Sequence, residues 1–220
     1  MAKQSISIVI PNYNGAKLLP IVLNSVLEAV AFSAIEYQIL VIDDCSTDTS
    51  REVVENQFTD VLFVANEVNL GFSETVNKGV HLAKYELVLI LNNDVKLNAD
   101  YFEDQFRFFE LENTFGVNGT IINWDDDHLQ GGGKLLKVQG FKIKSNTNFY
   151  IHQPHQNTYY KTSFLTGTNA LVSKSKFLEI GGFCHLFSPY YVEDVELSLR
   201  AIRNGYSCYY SISSVCRHQI

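Results

Sequence analysis

The sequence is short of several things. It has 4 prolines and 13 glycines in 220 residues, too few for a collagen-like or low-complexity chain. Charged residues are 19% against 46% hydrophobic, which excludes a chain too polar to build a core. Apolar runs such as Leu87 to Leu91 are strand-sized, and none nears the ~20 residues of a membrane-spanning helix. Met1 to Pro11 lacks the basic flank and long apolar centre of a signal peptide. The four cysteines (Cys45, Cys184, Cys208, Cys216) form no Cys-x-x-Cys pair, which excludes zinc-ribbon and thioredoxin-like readings. They fit reduced thiols in a cytoplasmic protein. Positive charge is also scarce, 17 Lys+Arg against 24 Asp+Glu, net -7. A nucleic-acid grip normally needs a basic face, so none is expected as the main task.

What is present is unevenly spread. The acids concentrate in the first half, whereas Leu129 to Leu178 contains lysines and no acid. Strand-like segments alternate with helical ones through the first half: Ile6–Ile10, a helix over Lys17–Val30, Tyr37–Ile42, a helix to about Gln57, and Val61–Ala65. Then follow a helix over Ser73–Ala83, Tyr85–Leu91, a helix over Ala99–Leu111, and Phe115–Ile122. Ser46, Thr47 and Asp48 are expected to cap the second helix. This alternation implies βαβ units and a mostly parallel sheet, an α/β fold with helices on both faces. The second half reads as loops or short strands from Trp124 to Tyr160, a strand or strand-loop over Ser163–Val172, and short helices Lys174–Ile180 and Glu193–Asn204. Tyr206–Val215 is the final strand. With no repeat and no flexible linker, one domain over 1–220 is expected.

In parallel α/β sheets, ligands bind at the carboxyl ends of the strands. Those ends carry Pro11-Asn12-Tyr13-Asn14, Asp43-Asp44 and Asn92-Asn93-Asp94. No Gly-x-Gly-x-x-Gly follows the first strand, against a dinucleotide-binding dehydrogenase, and Gly131-Gly132-Gly133 lacks the Lys-Ser/Thr of a phosphate loop. Asp43-Asp44 suits either hydrogen bonding to a base or sugar, or a helix-entry cap. Asn92-Asn93-Asp94 suits either a Mg2+ or Mn2+ ligand or an ordinary turn. Glu193-Asp194 opens a helix, as a general base or as acids favoured by the helix dipole. His218 is either a metal ligand or a frayed tail residue.

Taken in order, the motifs are Ile8-Val9-Ile10-Pro11-Asn12-Tyr13-Asn14, Val41-Ile42-Asp43-Asp44-Cys45-Ser46-Thr47-Asp48, Asn69-Leu70-Gly71-Phe72-Ser73 and Asn77-Lys78-Gly79. Leu91-Asn92-Asn93-Asp94, Gly181-Gly182-Phe183, Glu193-Asp194-Val195-Glu196-Leu197 and His218 complete the series. This series resembles glycosyltransferase family 2, inverting enzymes of GT-A fold, over nearly the whole chain. The resemblance implies a nucleotide-diphosphate sugar donor, a divalent metal (Mn2+ or Mg2+), and a saccharide or lipid-linked acceptor in cell-surface polysaccharide synthesis. By it, Pro11, Tyr13 and Asp43 hold the base, with Asp44 nearby in the donor site. Asn69, Gly71 and Asn77 line the nucleotide and its diphosphate. Asn92 and Asn93 stand with Asp94 where the family has Asp-x-Asp, Asp94 being the metal ligand. Asp194 is the base, Glu193 contacts the acceptor, and His218 completes the metal site. Asn92 removes one carboxylate from the family's pattern, and Cys45 replaces a customary glycine. Residues 1–123 would be the donor half and 124–220 the acceptor half of a catalytic domain truncated at its C-terminus.

Two other readings stand beside this one. The lost carboxylate at Asn92 motivates a degenerate, non-catalytic nucleotide-sugar-binding module. A sugar-phosphate nucleotidyltransferase would need a Gly-rich, Arg-bearing loop that Pro11 to Ala16 lacks. Lys134, Lys137, Lys142, Lys144 and Lys161 read by default as solvated loop lysines. Their alternative is a face for a phosphate-bearing acceptor or for peripheral contact with the inner face of a membrane.

Overall fold

The computed structural model of the chain describes residues 4–146, 150, 159–187 and 192–219. Strands β1 (Ser5–Asn12), β2 (Glu36–Asp43), β3 (Val61–Ala65) and β4 (Leu87–Leu91) are parallel, in spatial order β4-β1-β2-β3. Helices α1 (Leu19–Phe32), α2 (Ser50–Gln57) and α3 (Gly71–Leu82) connect them. Alternation along β1 explains the layering. Ile6, Ile8 and Ile10 enter a core with α1 and α2, while Val9 enters a second core with α3 on the opposite face. The strands are apolar on both sides because both faces are covered.

The sheet continues past β4 through β11 (Asn169–Ser173), which is antiparallel to β4 and to the next strand, β6 (Thr114–Asn123). Beyond β6 lie β12 (Ser207–His218), parallel to it, and β10 (Tyr160–Lys161) at the edge. Two short strands lie off this path, β5 (Val95–Leu97) on β12 and β7 (Leu129–Gly131) on β6. Helices α4 (Lys174–Glu179) and α5 (Glu193–Arg203) cover the α3 side, supplying Phe177, Leu197 and Ala201 to its core. A separate hairpin, β8 (Leu135–Gln139) with β9 (Lys142–Asn146), lies outside the main sheet. The fold is thus α/β with a mostly parallel central sheet.

Several expectations are corrected. Ala99–Leu111 is not an α-helix. It is a run of turns ending in a 3-10 helix, Phe106–Glu110, with repeated i→i−3 bonds such as Tyr101 N–H to Asn98 and Gln105 N–H to Phe102. Its aromatics are weak helix formers, and burying Tyr101, Phe102, Phe106 and Phe108 decides its path. The first helix starts at Leu19 rather than Lys17, with Pro20 in the first turn, where its missing N–H costs nothing. The second starts at Ser50, and its N-cap position, Thr49, makes no side-chain bond. Ser46 instead ties loops together, as described below, while Asp48 does cap the helix start, its Oδ1 accepting from the Ser50 amide at 3.0 Å. β12 runs to His218, which pairs with Val95, so His218 is a strand residue and not a frayed tail.

Helix α3 approaches the sheet closely because Gly79 has no side chain. A Cβ there would lie 2.3 Å from Val9 Cγ1 and 3.0 Å from Ile42 Cγ1. We expect Gly79→Ala to lower the unfolding free energy by about 1–3 kcal/mol through overpacking. This holds despite the roughly 1 kcal/mol that alanine gains in helix propensity. The shift of the urea midpoint measures it.

Candidate active site at the carboxyl ends of the strands

The ends of β1, β2 and β4 meet in one hydrogen-bonded network. Asn12 Nδ2 donates to Asp43 Oδ1 at 2.7 Å, and Asn93 Nδ2 donates to Asn12 Oδ1 at 2.8 Å. Asp43 also accepts from the Ser46 hydroxyl (2.6 Å) and the Ser46 amide (2.9 Å). Ser46 Oγ in turn accepts from the Asn14 amide, and Asp48 Oδ2 from the Ala16 amide. Gly15 must be glycine here, since a Cβ would lie 2.1 Å from Asn12 Oδ1 and 2.5 Å from Asn93 Nδ2. Asp44 is nearly buried and accepts from Asn66 Nδ2, from the Leu70 amide and from the Gly71 amide, all within 2.9 Å. Asp44 therefore fixes the start of α3. Cys45 sits at φ +64°, so the turn keeps left-handed geometry without its glycine.

Over this network lies a cavity of about 500 Å3. It is lined by Pro11, Tyr13, Asp44, Asn69, Gly71, Asn92 and Asn93, all given a role from the sequence, by Asn12 and Phe72, which stood in the motifs without one, and by Thr75. No side chain in that lining is cationic. Two expected residues are elsewhere. Asp43 lies beneath, its oxygens occupied by Asn12 and Ser46. Asn77 grips the backbone of Phe183, accepting from its N–H and donating to its carbonyl, each at 2.9 Å. With Arg200, which donates to the carbonyls of Ile180 and Gly182, it clasps the Gly181-Gly182-Phe183 turn between α3 and α5.

Asp94 and His218 meet because β5 pairs with the end of β12. His218 Nε2 is 3.5 Å from Asp94 Oδ2, and Asp94 Oδ1 is buried without a hydrogen-bond partner. Gln130, on β7, donates from Nε2 to the His218 carbonyl at 3.0 Å. That carbonyl can only accept, so Gln130 Oε1 faces His218 Nδ1, 2.8 Å away. Nδ1 then carries a proton, and Nε2 is the ring nitrogen turned toward Asp94. Asn92 Oδ1 is likewise buried and unpartnered. An orphan carboxylate oxygen beside an imidazole nitrogen fits a divalent cation once that nitrogen is unprotonated. No cluster of three His, Cys, Asp or Glu occurs among the described residues, so any cation here would need further oxygens from water or ligand.

The loop before β11 connects this region to Glu193-Asp194. The Thr168 carbonyl accepts from the Asn92 amide, and the Gly167 amide donates to Asp194. The ring of Phe72, which lines the cavity, would touch any Cβ on Gly167 at 3.0 Å. Asp194 heads α5 just after Val192, whose φ of +75° is strained for a β-branched residue. Burial raises the Asp194 carboxyl above the ordinary value; the Val195 amide and the charge of Lys134 pull against that. Burial also raises Glu193, helped by neighbouring Asp194, and its Oε2 has no partner. Lys134 corrects the reading of that lysine group as solvated. It is 9% exposed, its Nζ lies 4.7 Å from the Phe164 ring centroid, and burial lowers it to about 8 against the pull of Asp194. Lys137, Lys142, Lys144 and Lys161 are exposed.

Residues 7–181 match the model of glycosyl transferase family 2. The chain belongs to this family. It is 28% identical over 123 residues to the poly(ribitol-phosphate) beta-N-acetylglucosaminyltransferase TarS of Staphylococcus aureus, covering 51% of this chain and 21% of TarS. It is 24% identical over 238 aligned positions to a chondroitin synthase of Escherichia coli, covering 93% of this chain and 33% of that one. The chain thus spans a third or less of these two relatives. Among solved structures, GalNAc-T7 with UDP, GalNAc and Mn2+ superposes with a TM-score of 0.79 at 17% identity, covering 100% of this chain and 44% of that one. The fold is therefore GT-A, as this family membership leads one to expect. Asn12 and Phe72 stood in the motifs without an assigned role, and Thr75 escaped the sequence reading because it carries only an ordinary helix signal. Gln130 lay in a segment read only as loops or short strands.

The Cys45 turn yields a direct test. A non-glycine residue in the left-handed region costs roughly 1–2 kcal/mol. Cys45→Gly should therefore raise the unfolding free energy by about 1 kcal/mol after losing a weak thiol contact to the Glu67 carbonyl. Chemical denaturation would reveal the gain; a loss would mean that Cys45 contributes more than its backbone shape.

Proposed function

We propose that this chain is the catalytic domain of a metal-dependent, inverting glycosyltransferase. It would move one sugar from a nucleotide-diphosphate donor to a saccharide or a lipid-linked acceptor in cell-surface polysaccharide synthesis. A lipid-linked acceptor would be met at the inner face of a membrane. The observation that carries the reading is the union, across the Thr166–Asn169 loop, of a cation-fitting Asp94–His218 pair with a half-buried Asp194.

In this reading the donor's base and ribose rest in the cavity against Tyr13, Asp44 and Asn69. A diphosphate brings negative charge to a lining that offers no cation. Asp94, next to the cavity residue Asn93, and His218 would hold Mn2+ or Mg2+, which when bound supplies positive charge against the leaving diphosphate. A structural neighbour supports the pairing: GalNAc-T7 was solved with UDP, GalNAc and Mn2+. Asp194 takes the proton of the acceptor hydroxyl, and the oxygen attacks the anomeric carbon from the face opposite the diphosphate. The bond to the diphosphate breaks with its electron pair leaving on phosphate oxygen, so the configuration inverts. Lys134 beside Asp194 offsets part of the burial penalty and keeps the carboxylate charged.

A non-catalytic binding module remains the second reading, motivated by Asn92 in place of a carboxylate. Its buried, unpartnered Oδ1 still offers a neutral oxygen, which favours the enzyme.

Two outcomes are expected. Asp194→Asn should lower transfer about 10²–10⁴-fold while thermal shifts by nucleotide sugars with Mn2+ persist; full activity in the variant would remove Asp194 as base. In the wild type, the rate should fall as pH drops through the Asp194 pKa, because the base works ionised. That pKa is raised, so the acid limb of kcat should lie above the ordinary aspartate value of 3.8. A limb at or below that value would remove the assignment.

A further inference from the structure

Among the described residues, the β8–β9 hairpin contributes nothing to either core. Its register pairs Lys137 with Lys144 and Gln139 with Lys142. Directly opposed residues share a face, so Lys137, Lys142 and Lys144 project from the same side. Like charges set opposite each other destabilise a strand pair. No acid relieves them: none makes an ion pair with a described residue, and the sequence from Leu129 to Leu178 has no Asp or Glu. The hairpin closes through a two-residue turn with Gly140 at φ +61°. That turn lifts Phe141 fully into water, at 110% relative exposure, the most exposed large hydrophobic side chain described. The hairpin springs from Lys134, which feels the charge of Asp194, so its base stands on the acceptor side of the site.

We propose that this hairpin docks the enzyme on an anionic lipid leaflet. Lys137, Lys142 and Lys144 meet acidic headgroups and Phe141 inserts at the acyl boundary. Lysines alone would serve any polyanion. Among polyanionic surfaces, a lipid leaflet also offers an apolar counterpart to the exposed phenyl ring at the tip of the lysine face. The proposal uses the transferase reading solely for its purpose, which is to hold the site beside a membrane-presented acceptor; binding itself needs neither donor nor turnover.

Co-sedimentation of the full chain with vesicles of phosphatidylcholine, with or without phosphatidylglycerol, tests it. Binding should rise with phosphatidylglycerol and fall with salt. Replacing Lys137, Lys142 and Lys144 by Gln should weaken it roughly five-fold per lysine. The triple Arg variant should retain it, which separates charge from folding. Phe141→Ser should weaken it about ten-fold with an unchanged melting temperature. Donor hydrolysis in vesicle-free solution should be the same in every variant, so loss of docking is distinguishable from failure of the transferase reading. Binding indifferent to phosphatidylglycerol would overturn the proposal. So would equal binding by Phe141→Ser together with equally tight binding of the wild type to soluble polyphosphate, which would assign the face to a soluble polyanion.

Discussion

Asp43 is a carboxylate with 4% exposure at the end of a central strand, and the geometry of the site hangs on how it is neutralised. It accepts three hydrogen bonds, from Asn12 and twice from Ser46. A buried carboxylate left without donors would cost several kcal/mol, so the donors must stay. Asn12 is thereby oriented to accept from Asn93, which draws the end of β4 toward those of β1 and β2. The same bonds hold the Asn14–Ala16 loop against Ser46 and Asp48, and only glycine fits at position 15 beneath it. Neighbouring Asp44 is spent on the first amides of α3. The two aspartates differ in what they organise: Asp43 joins strand ends, and Asp44 joins a strand end to a helix while remaining on the cavity wall.

A second constraint fixes the other side of the site. β11 enters antiparallel between β4 and β6, and the loop before it bonds Asn92 at one end and Asp194 at the other. β12 then carries His218 to β5, immediately after Asp94 in sequence. Groups more than a hundred residues apart come within bonding distance because two edge pairings require it. The clasp of Asn77 and Arg200 on the Gly181–Phe183 turn packs α4 and α5 against α3 and keeps α5, with Asp194 at its head, in register with this loop.

The alternation of strands and helices was legible because the strands are continuously apolar and the helices carry a 3.6-residue stripe. Ala99–Leu111 misled because buried aromatics at mixed spacing imitate that stripe. The motif residues at strand ends and at the start of α3 were legible as a set, and seven of those given a role line one cavity. The roles of Asp43 and Asn77 were not. Whether a polar side chain faces a ligand or its own backbone depends on partners distant in sequence, here Asn12 for one and Phe183 for the other. Lys134 and Lys137 read alike as lysines, yet one is buried against Phe164 and the other is exposed.

The sequence by itself determined the family, the α/β alternation, and which carboxylates and amides stand at strand ends, since these follow from local pattern and order. Only the tertiary structure decided which oxygens are left unpaired. Hydrogen bonding is settled by neighbours the chain brings together, and Asp94, Asn92 and Glu193 keep orphan oxygens because nothing packed beside them donates. It also decided that His218 ends a paired strand with its ring held by Gln130, where the sequence alone offered a chain end.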